Sequence, residues 1–131
     1  MSGTQRKDKP FIRHFPWESD SLSACALSPD GIMIGFDAGR YYLFNANDCS
    51  CKIVELKTPS ISGGIFLDSK RFLGCCTHSG REGETIITLD VTNNTIRELC
   101  ATKGTRLFEK ISNSEVLIDY EGYKVNKLVL G

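Results

Sequence analysis

The stretch Leu27-Ser28-Pro29-Asp30-Gly31-Ile32-Met33-Ile34 decides the fold, because its pattern occurs twice more along the chain. It is typical of an apolar strand, a tight polar turn and a second apolar strand. Copies of the pattern begin at Leu67 and at Ile111, which are 40 and then 44 residues further on. Repeats with this period are typical of β-propeller blades, so the sequence predicts a propeller-like architecture.

The first two copies continue in step beyond this hairpin. Residues 41–45 correspond to residues 86–90 and predict a third strand in each copy. Residues 52–56 correspond to residues 95–99, which share a Glu-Leu ending, and predict a fourth strand. We therefore expect an all-β chain with about three four-stranded antiparallel blade-like sheets, which is a partial β-propeller.

The third copy is shorter than the other two. It offers strands at residues 106–111, 115–119 and 123–130, with no clear match to a fourth. The predicted organisation is an N-terminal segment at 1–20, partly flexible, followed by a propeller-like domain at 21–131 with repeats at about 22–56, 61–99 and 104–131. Because closed propellers need four to eight blades, three arrangements stay open: a segment of a longer propeller, which we prefer, a ring completed by other copies, or a small open sandwich.

Composition excludes several classes of function. Sixteen Lys plus Arg balance 16 Asp plus Glu in 131 residues, so no global charge attracts nucleic acid. The apolar runs are far shorter than the ~20 residues that span a bilayer. The N-terminus has no apolar region of a secretory signal, so we expect a cytoplasmic protein whose six cysteines are free thiols.

Two propeller families provide resemblances. The turn at residues 28–31, followed by Gly35-Phe36-Asp37-Ala38-Gly39-Arg40-Tyr41-Tyr42-Leu43-Phe44, resembles a WD40-type blade, without the Gly-His and Trp-Asp pairs of that family. Residues 60–126 resemble the citron homology (CNH) domain, in the segments Ile86-Ile87-Thr88-Leu89-Asp90 and Asn113-Ser114-Glu115-Val116-Leu117-Ile118 and in the Glu98-Leu99 ending. The resemblance implies a regulatory interaction domain of signalling or trafficking scaffolds, with a protein partner such as a small GTPase.

The best predicted partner-binding site is a loop between the second and third strands of the second copy. It is the main insertion relative to the first copy, and loops on a rigid β scaffold often carry binding residues. Ser79, Arg81, Glu82 and Glu84 are its candidate contacts, although a plain solvated hairpin explains the same charges. Trp17 is a further candidate, beside basic residues that suit an acidic partner or phosphates: Arg6, Lys7, Lys9 and Arg13. A docking strand that completes a sheet explains the N-terminal aromatic residues more simply.

Cysteine and histidine spacing argues against a metal site. Structural zinc sites favour Cys-x₂₋₄-Cys pairs, and neighbouring residues of a strand point to opposite faces. The Cys49-x-Cys51 and Cys75-Cys76-x-His78 groups do not fit this requirement. We therefore expect no metal and no cofactor, with Cys25, Cys75 and Cys76 acting as small buried apolar residues.

Catalysis lacks its usual sequence signals. The chain has no nucleophile elbow and no phosphate-binding loop, and its two histidines, His14 and His78, lie in no recognisable catalytic context. The prediction is a non-catalytic protein-interaction module. Two alternatives stay open: an oligomeric propeller that binds a small ligand or glycan, and an enzyme that uses a carboxylate pair formed by Asp37 and Asp119.

Overall fold

The computed structural model describes residues 9–13, 15, 22–37, 39–56, 60–77, 83–106, 108–120 and 123–130. This part of the chain contains strands and no helix, which confirms the all-β prediction. The first sheet consists of β1 (Ala24–Leu27), β2 (Ile32–Asp37), β3 (Arg40–Asn45) and β4 (Ser50–Glu55). The second consists of β5 (Ile61–Phe66), β6 (Arg71–Thr77), β7 (Glu84–Asp90) and β8 (Thr95–Thr102). The third consists of β9 (Phe108–Ser112), β10 (Glu115–Tyr120) and β11 (Lys124–Val129).

Each sheet is an antiparallel meander in which strands adjacent in sequence are hydrogen-bonded neighbours. The three sheets contain four, four and three strands. The first two sheets have the four strands predicted, whereas the described part of the third has three, as the shorter third copy indicated. Its last strand, β11, pairs with β10 along one edge.

The second sheet lies between the other two and is covered on both faces. One face packs against the first sheet through an aromatic cluster, whose buried members include Phe36, Tyr41, Phe66, Phe72 and Leu89. The other face packs against the third sheet through an aliphatic cluster, whose buried members include Leu73, Cys75, Ile86, Val116 and Ile118. The first strands of successive sheets lie side by side, β1 against β5 and β5 against β9.

Strand alternation explains how the central sheet serves two clusters. Along β6, Phe72 and Cys76 face the aromatic cluster, while Leu73 and Cys75 face the aliphatic cluster. Between them Gly74 leaves room for the Phe72 ring, because a Cβ at Gly74 would overlap that ring. Burial of Cys75 and Cys76 is thus confirmed. Burial of Cys25 is wrong: β1 turns Ala24 and Ala26 toward the cluster and leaves Cys25 exposed on the opposite face.

The hairpins β3–β4 and β7–β8 contain matched four-residue turns. Asn45 pairs with Ser50 in one, and Asp90 pairs with Thr95 in the other. In each turn the first side chain accepts a hydrogen bond from the backbone N–H two residues on, at 2.8 Å from Asn47 and at 2.9 Å from Thr92.

This register corrects the sequence alignment of the fourth strands. The structural equivalent of Thr95 is Ser50 rather than Lys52. Because side chains alternate between the two faces of a strand, an alignment error of two residues still assigns each side chain to the correct face. It arose because β8 is longer than β4 and its ladder with β7 shifts between Ile86 and Ile87, so the shared Glu-Leu ending is not a structural equivalence.

The described N-terminal residues cover part of the outer face of the first sheet. Phe15 contacts Phe44 edge to face, with ring centroids 5.4 Å apart, and Leu22 packs over Gly35. No strand is formed by residues 9–13 or 15, so Phe15 docks on the sheet face and does not extend the sheet. Apart from residues 9–13 and 15, the segment at 1–20 that we predict to be partly flexible lies outside the described residues.

Candidate interaction surface

The predicted partner loop lies mostly outside the described residues. This applies to Ser79, Arg81 and Glu82, and also to Trp17. Glu84 is described at the start of β7, where its side chain is only 10% exposed. The assignment of these residues to partner binding stays a prediction.

Glu84 belongs to a polar network between the second and third sheets. Its carboxylate accepts hydrogen bonds from Gly104 N, at 3.0 Å, and from Arg106 Nη1, at 3.0 and 3.2 Å. The Arg106 backbone N–H in turn donates to Asp119 Oδ1 at 2.8 Å, and the Thr105 hydroxyl donates to the Asp119 carbonyl at 2.9 Å. This network fixes the segment that enters β9 against both sheets.

The thiol of Cys75 lies beside this network. Burial and, to a smaller extent, the negative charge of Glu84 raise its pKa to about 12. A thiol with this pKa stays protonated near neutral pH, whereas the thiolate is the nucleophilic form. Cys75 therefore contributes packing to the aliphatic cluster.

The two carboxylates proposed as an alternative catalytic pair are not brought together. Asp37 lies in the first sheet, where its carboxylate accepts a hydrogen bond from Tyr42 Oη at 2.7 Å and contacts Arg40 Nη2 at 3.4 Å. Asp119 lies in the third sheet and bonds to Arg106. The second sheet separates them, because it supplies residues to both clusters.

Potential metal ligands are dispersed in the same way. Within the described ranges, no group of three or more His, Cys, Asp or Glu side chains is arranged to hold a metal ion. Cys75 and Cys76 point to opposite faces of β6, as strand geometry predicts. His14 and His78 lie outside the described residues.

The third sheet has an exposed, partly apolar outer face. Its apolar members, which we call the outer-face residues, are Leu117, Val125 and Val129. Val125 and Val129 are 73% and 63% exposed, and Leu117 is 37% exposed. Charged side chains lie among them, since Lys127 pairs with Glu115 at 3.5 Å.

The pairing register explains why these residues share one face. Leu117 lies opposite Lys127, and Glu115 lies opposite Val129, in the β10–β11 ladder. Residues directly opposite each other in an antiparallel pair lie on the same face. The alternate residues Val116 and Leu128 face inward to the aliphatic cluster. The sequence signal for this surface was the shorter third copy, but the exposed residues became identifiable only from the register.

Two clefts open between the sheets. One, of about 260 Å³, lies between the first and second sheets, and its lining includes Ile32, Leu43, Phe66 and Val91 together with polar residues such as Asn45 and Lys52. The other, of about 400 Å³, follows the first strands of all three sheets, and its lining includes Cys25, Leu27, Ile65, Glu109 and Lys110. Lys110 Nζ donates a hydrogen bond to the Leu67 carbonyl at 2.6 Å, so one side of the second cleft is fixed by a bond between sheets.

No helix that could span a membrane is present in the described residues. Comparison with known proteins found no protein-family model that matches the chain and no curated protein with significant similarity to it.

Proposed function

We propose that this chain is a non-catalytic protein-interaction module, built from propeller blades of CNH or WD40-like type, within a larger cytoplasmic regulatory, signalling or trafficking scaffold. Two features of the sheet packing support the blade interpretation. The three sheets stack face on face through the aromatic and aliphatic clusters. Their first strands lie adjacent, as the inner strands of propeller blades do around a central channel.

The observation that carries the interaction function is the exposed outer face of the third sheet. Large apolar residues that stay in water mark protein contact surfaces when they form one patch. Leu117, Val125 and Val129 share one exposed face of the third sheet, whereas the opposite face of this sheet is buried in the aliphatic cluster. Mixed apolar and charged composition is typical of non-obligate protein interfaces.

Site-specific photocrosslinking tests this function. A photoreactive phenylalanine analogue replaces Leu117 on the outer face, and a matched chain carries it at Ile53 on β4, which is also partly exposed. We expect protein adducts from position 117 in cells that express the chain, and their loss when Val125→Glu is added. Equal adducts from both positions, or adducts from neither, would contradict an interaction function for this face.

The solution mass, measured by light scattering, shows whether the chain is a monomer or assembles with other copies of itself. A monomer is expected if the partner surface serves another protein. A discrete trimer or dimer would favour the alternative of an oligomeric propeller that binds a small ligand or glycan. The specific observation in favour of that alternative is the cleft along the first strands, because its volume of about 400 Å³ lies in the range of small-molecule sites. Glycan-array binding by that oligomer would then support it.

A further inference from the structure

The cleft of about 260 Å³ between the first and second sheets opens onto the aromatic cluster. Phe66 is a buried member of that cluster, and Leu43 and Val91 pack against it, so these three side chains form an apolar wall of the cleft. Ligand pockets are typically lined by apolar side chains with a few polar groups that fix orientation. Since an apolar cavity of about 150 Å³ holds benzene, this cleft accommodates one aromatic ring with a short side chain.

Backbone hydrogen bonds hold both rims of the cleft. On the first sheet, Ala46 N donates to the Gly31 carbonyl at 2.9 Å, which ties the turn between β1 and β2 to the turn between β3 and β4. On the second sheet, Val91 N donates to the Lys70 carbonyl at 2.9 Å, which ties the end of β7 to the turn between β5 and β6. The cleft is therefore preformed, which lowers the ordering cost of binding a ligand.

The register of β4 places a lysine on the face that borders the cleft. Lys52 lies opposite Leu43, and Val54, two residues further along β4, packs against the aromatic cluster. Directly opposed residues share a face, and so do alternate residues of one strand, so Lys52 is directed toward the second sheet. Lys52 is exposed, as expected for a side chain whose aliphatic stem covers apolar surface and whose ammonium group reaches water.

Two polar side chains of the cleft offer hydrogen-bond donors to a ligand. The ammonium group of Lys52 can only donate. The side-chain oxygen of Asn45 accepts a hydrogen bond from Asn47 N at 2.8 Å, so Asn45 offers its NH₂ group to a ligand. The carboxylate of Asp48 in the same turn accepts hydrogen bonds from the N–H and hydroxyl of Ser50, at 2.9 and 2.6 Å, and is not among the groups that line the cleft. Two donors beside an apolar wall favour a ligand with an anionic acceptor.

The geometry points to a small-molecule site: we infer that this cleft binds a small monocarboxylic acid with an apolar body. The apolar body packs against Leu43, Phe66 and Val91, and its carboxylate accepts hydrogen bonds from Lys52 and Asn45. Charge-assisted hydrogen bonds are roughly twice as strong as neutral ones, so a carboxylate is preferred over a neutral head group. The site lies apart from the outer face of the third sheet and does not depend on the proposed interaction function.

The second sheet provides a matched position for comparison. The equivalent turns align Leu43 with Thr88 and Lys52 with Arg97, and the two residues of each sheet lie opposite each other. The positive charge is thus kept in the second sheet, while a polar residue replaces the apolar one. Arg97 is therefore a control for the effect of charge without the apolar wall.

Ligand titration followed by NMR tests the preference for a carboxylate. The probes are phenylpropionate and its neutral and cationic analogues, phenylpropanol and phenylpropylamine. We expect the acid to bind roughly tenfold more tightly than the alcohol, a difference of about 1.4 kcal/mol, and the amine to bind most weakly. Lys52→Gln should lower the affinity for the acid to near that for the alcohol, whereas Arg97→Gln should leave the affinities for both unchanged.

Methyl chemical shifts locate the bound probe independently. Phenylpropionate should move the methyl resonances of Leu43 and Val91 and leave those of Leu73 and Val116, in the aliphatic cluster, unchanged. Shifts at Ile65 instead would place the probe in the cleft along the first strands and overturn the inference. Equal affinity for the three probes, or a lack of saturable binding, would also overturn it, while adducts from position 117 would still support the proposed interaction function.

Discussion

The contact between the first and second sheets and the contact between the second and third sheets are built differently. The aromatic cluster joins the first pair through tilted and edge-to-face rings, with Phe36 and Phe72 centroids 5.1 Å apart. The aliphatic cluster joins the second pair through smaller side chains and is bordered by the Glu84, Arg106 and Asp119 network. Apolar burial is non-directional, whereas hydrogen bonds require one geometry. Neutral hydrogen bonds through Asn94 also cross the first contact, whereas charged groups bond across the second contact and orient the outer face of the third sheet.

Phe72→Ala should produce the largest effect, because it removes the centre of the aromatic cluster. The ring contacts Phe36 and Phe66 and is almost fully buried. Truncation of a buried Phe costs about 3–5 kcal/mol of unfolding free energy. Urea denaturation measures the loss, with the exposed Phe11→Ala as the matched control. A loss no greater than that of the control would mean that the aromatic cluster does not stabilise the fold.

Asp119→Ala should weaken the second contact by about 2 kcal/mol, since it removes the charged acceptor of the partly buried Arg106 N–H. Asp119→Asn keeps an acceptor oxygen and should lose less than half as much. Equal losses for the two variants would show that packing, and not the hydrogen bond, is the cause.

The pH dependence of stability should report on the second contact through Cys75. Burial raises the pKa of Cys75 to about 12, while an unfolded thiol titrates near 8.5. Between these values the unfolded state loses a proton that the folded state keeps, so the free energy of unfolding falls as pH rises, by up to about 1.4 kcal/mol per pH unit. Urea curves at about pH 8 and about pH 10 measure the fall. Cys75→Ala should lack this component, and an equal fall in both proteins would contradict the assignment.

The sequence predicted the first two sheets well because their signals are local. Apolar runs on either side of Pro29-Asp30-Gly31 and of Asp68 mark hairpins that the structure contains. Strand type and order follow from such turns. The 40-residue offset from Leu27 to Leu67 identified two equivalent sheets.

The remaining features depend on contacts that no local pattern contains. Exposure of Cys25 follows from the face that β1 turns to the second sheet, and the two-residue error in aligning β4 with β8 follows from a ladder irregularity. The candidate surface required the phase of the β10–β11 ladder, because a strand with apolar residues at Val125 and Leu128 does not show by itself which one is buried.

The smallest expected effects come from substitutions in the two matched turns, β3–β4 and β7–β8. They test whether side-chain hydrogen bonds contribute to the contact between the first and second sheets. Asn94 and Cys49 occupy equivalent positions and share a left-handed backbone, with φ of 56° and 59°. Asn94 also links the sheets: its amide accepts a hydrogen bond from Tyr41 Oη at 3.1 Å and donates one to the Glu55 carbonyl at 3.2 Å. Cys49 has no side-chain amide with which to form such a link.

Glycine substitution at each position therefore separates backbone conformation from bonding between sheets. Asn94→Gly keeps the turn and loses both bonds, so it should cost about 1 kcal/mol. Cys49→Gly relieves a left-handed conformation that disfavours a Cβ, and after the entropy cost of glycine it should gain about 0.5 kcal/mol. Parallel urea titrations measure both changes. Opposite signs would show that Asn94 joins the first two sheets through its side chain, whereas two gains would show that turn conformation alone decides both positions and that the aromatic cluster holds these sheets without a polar link.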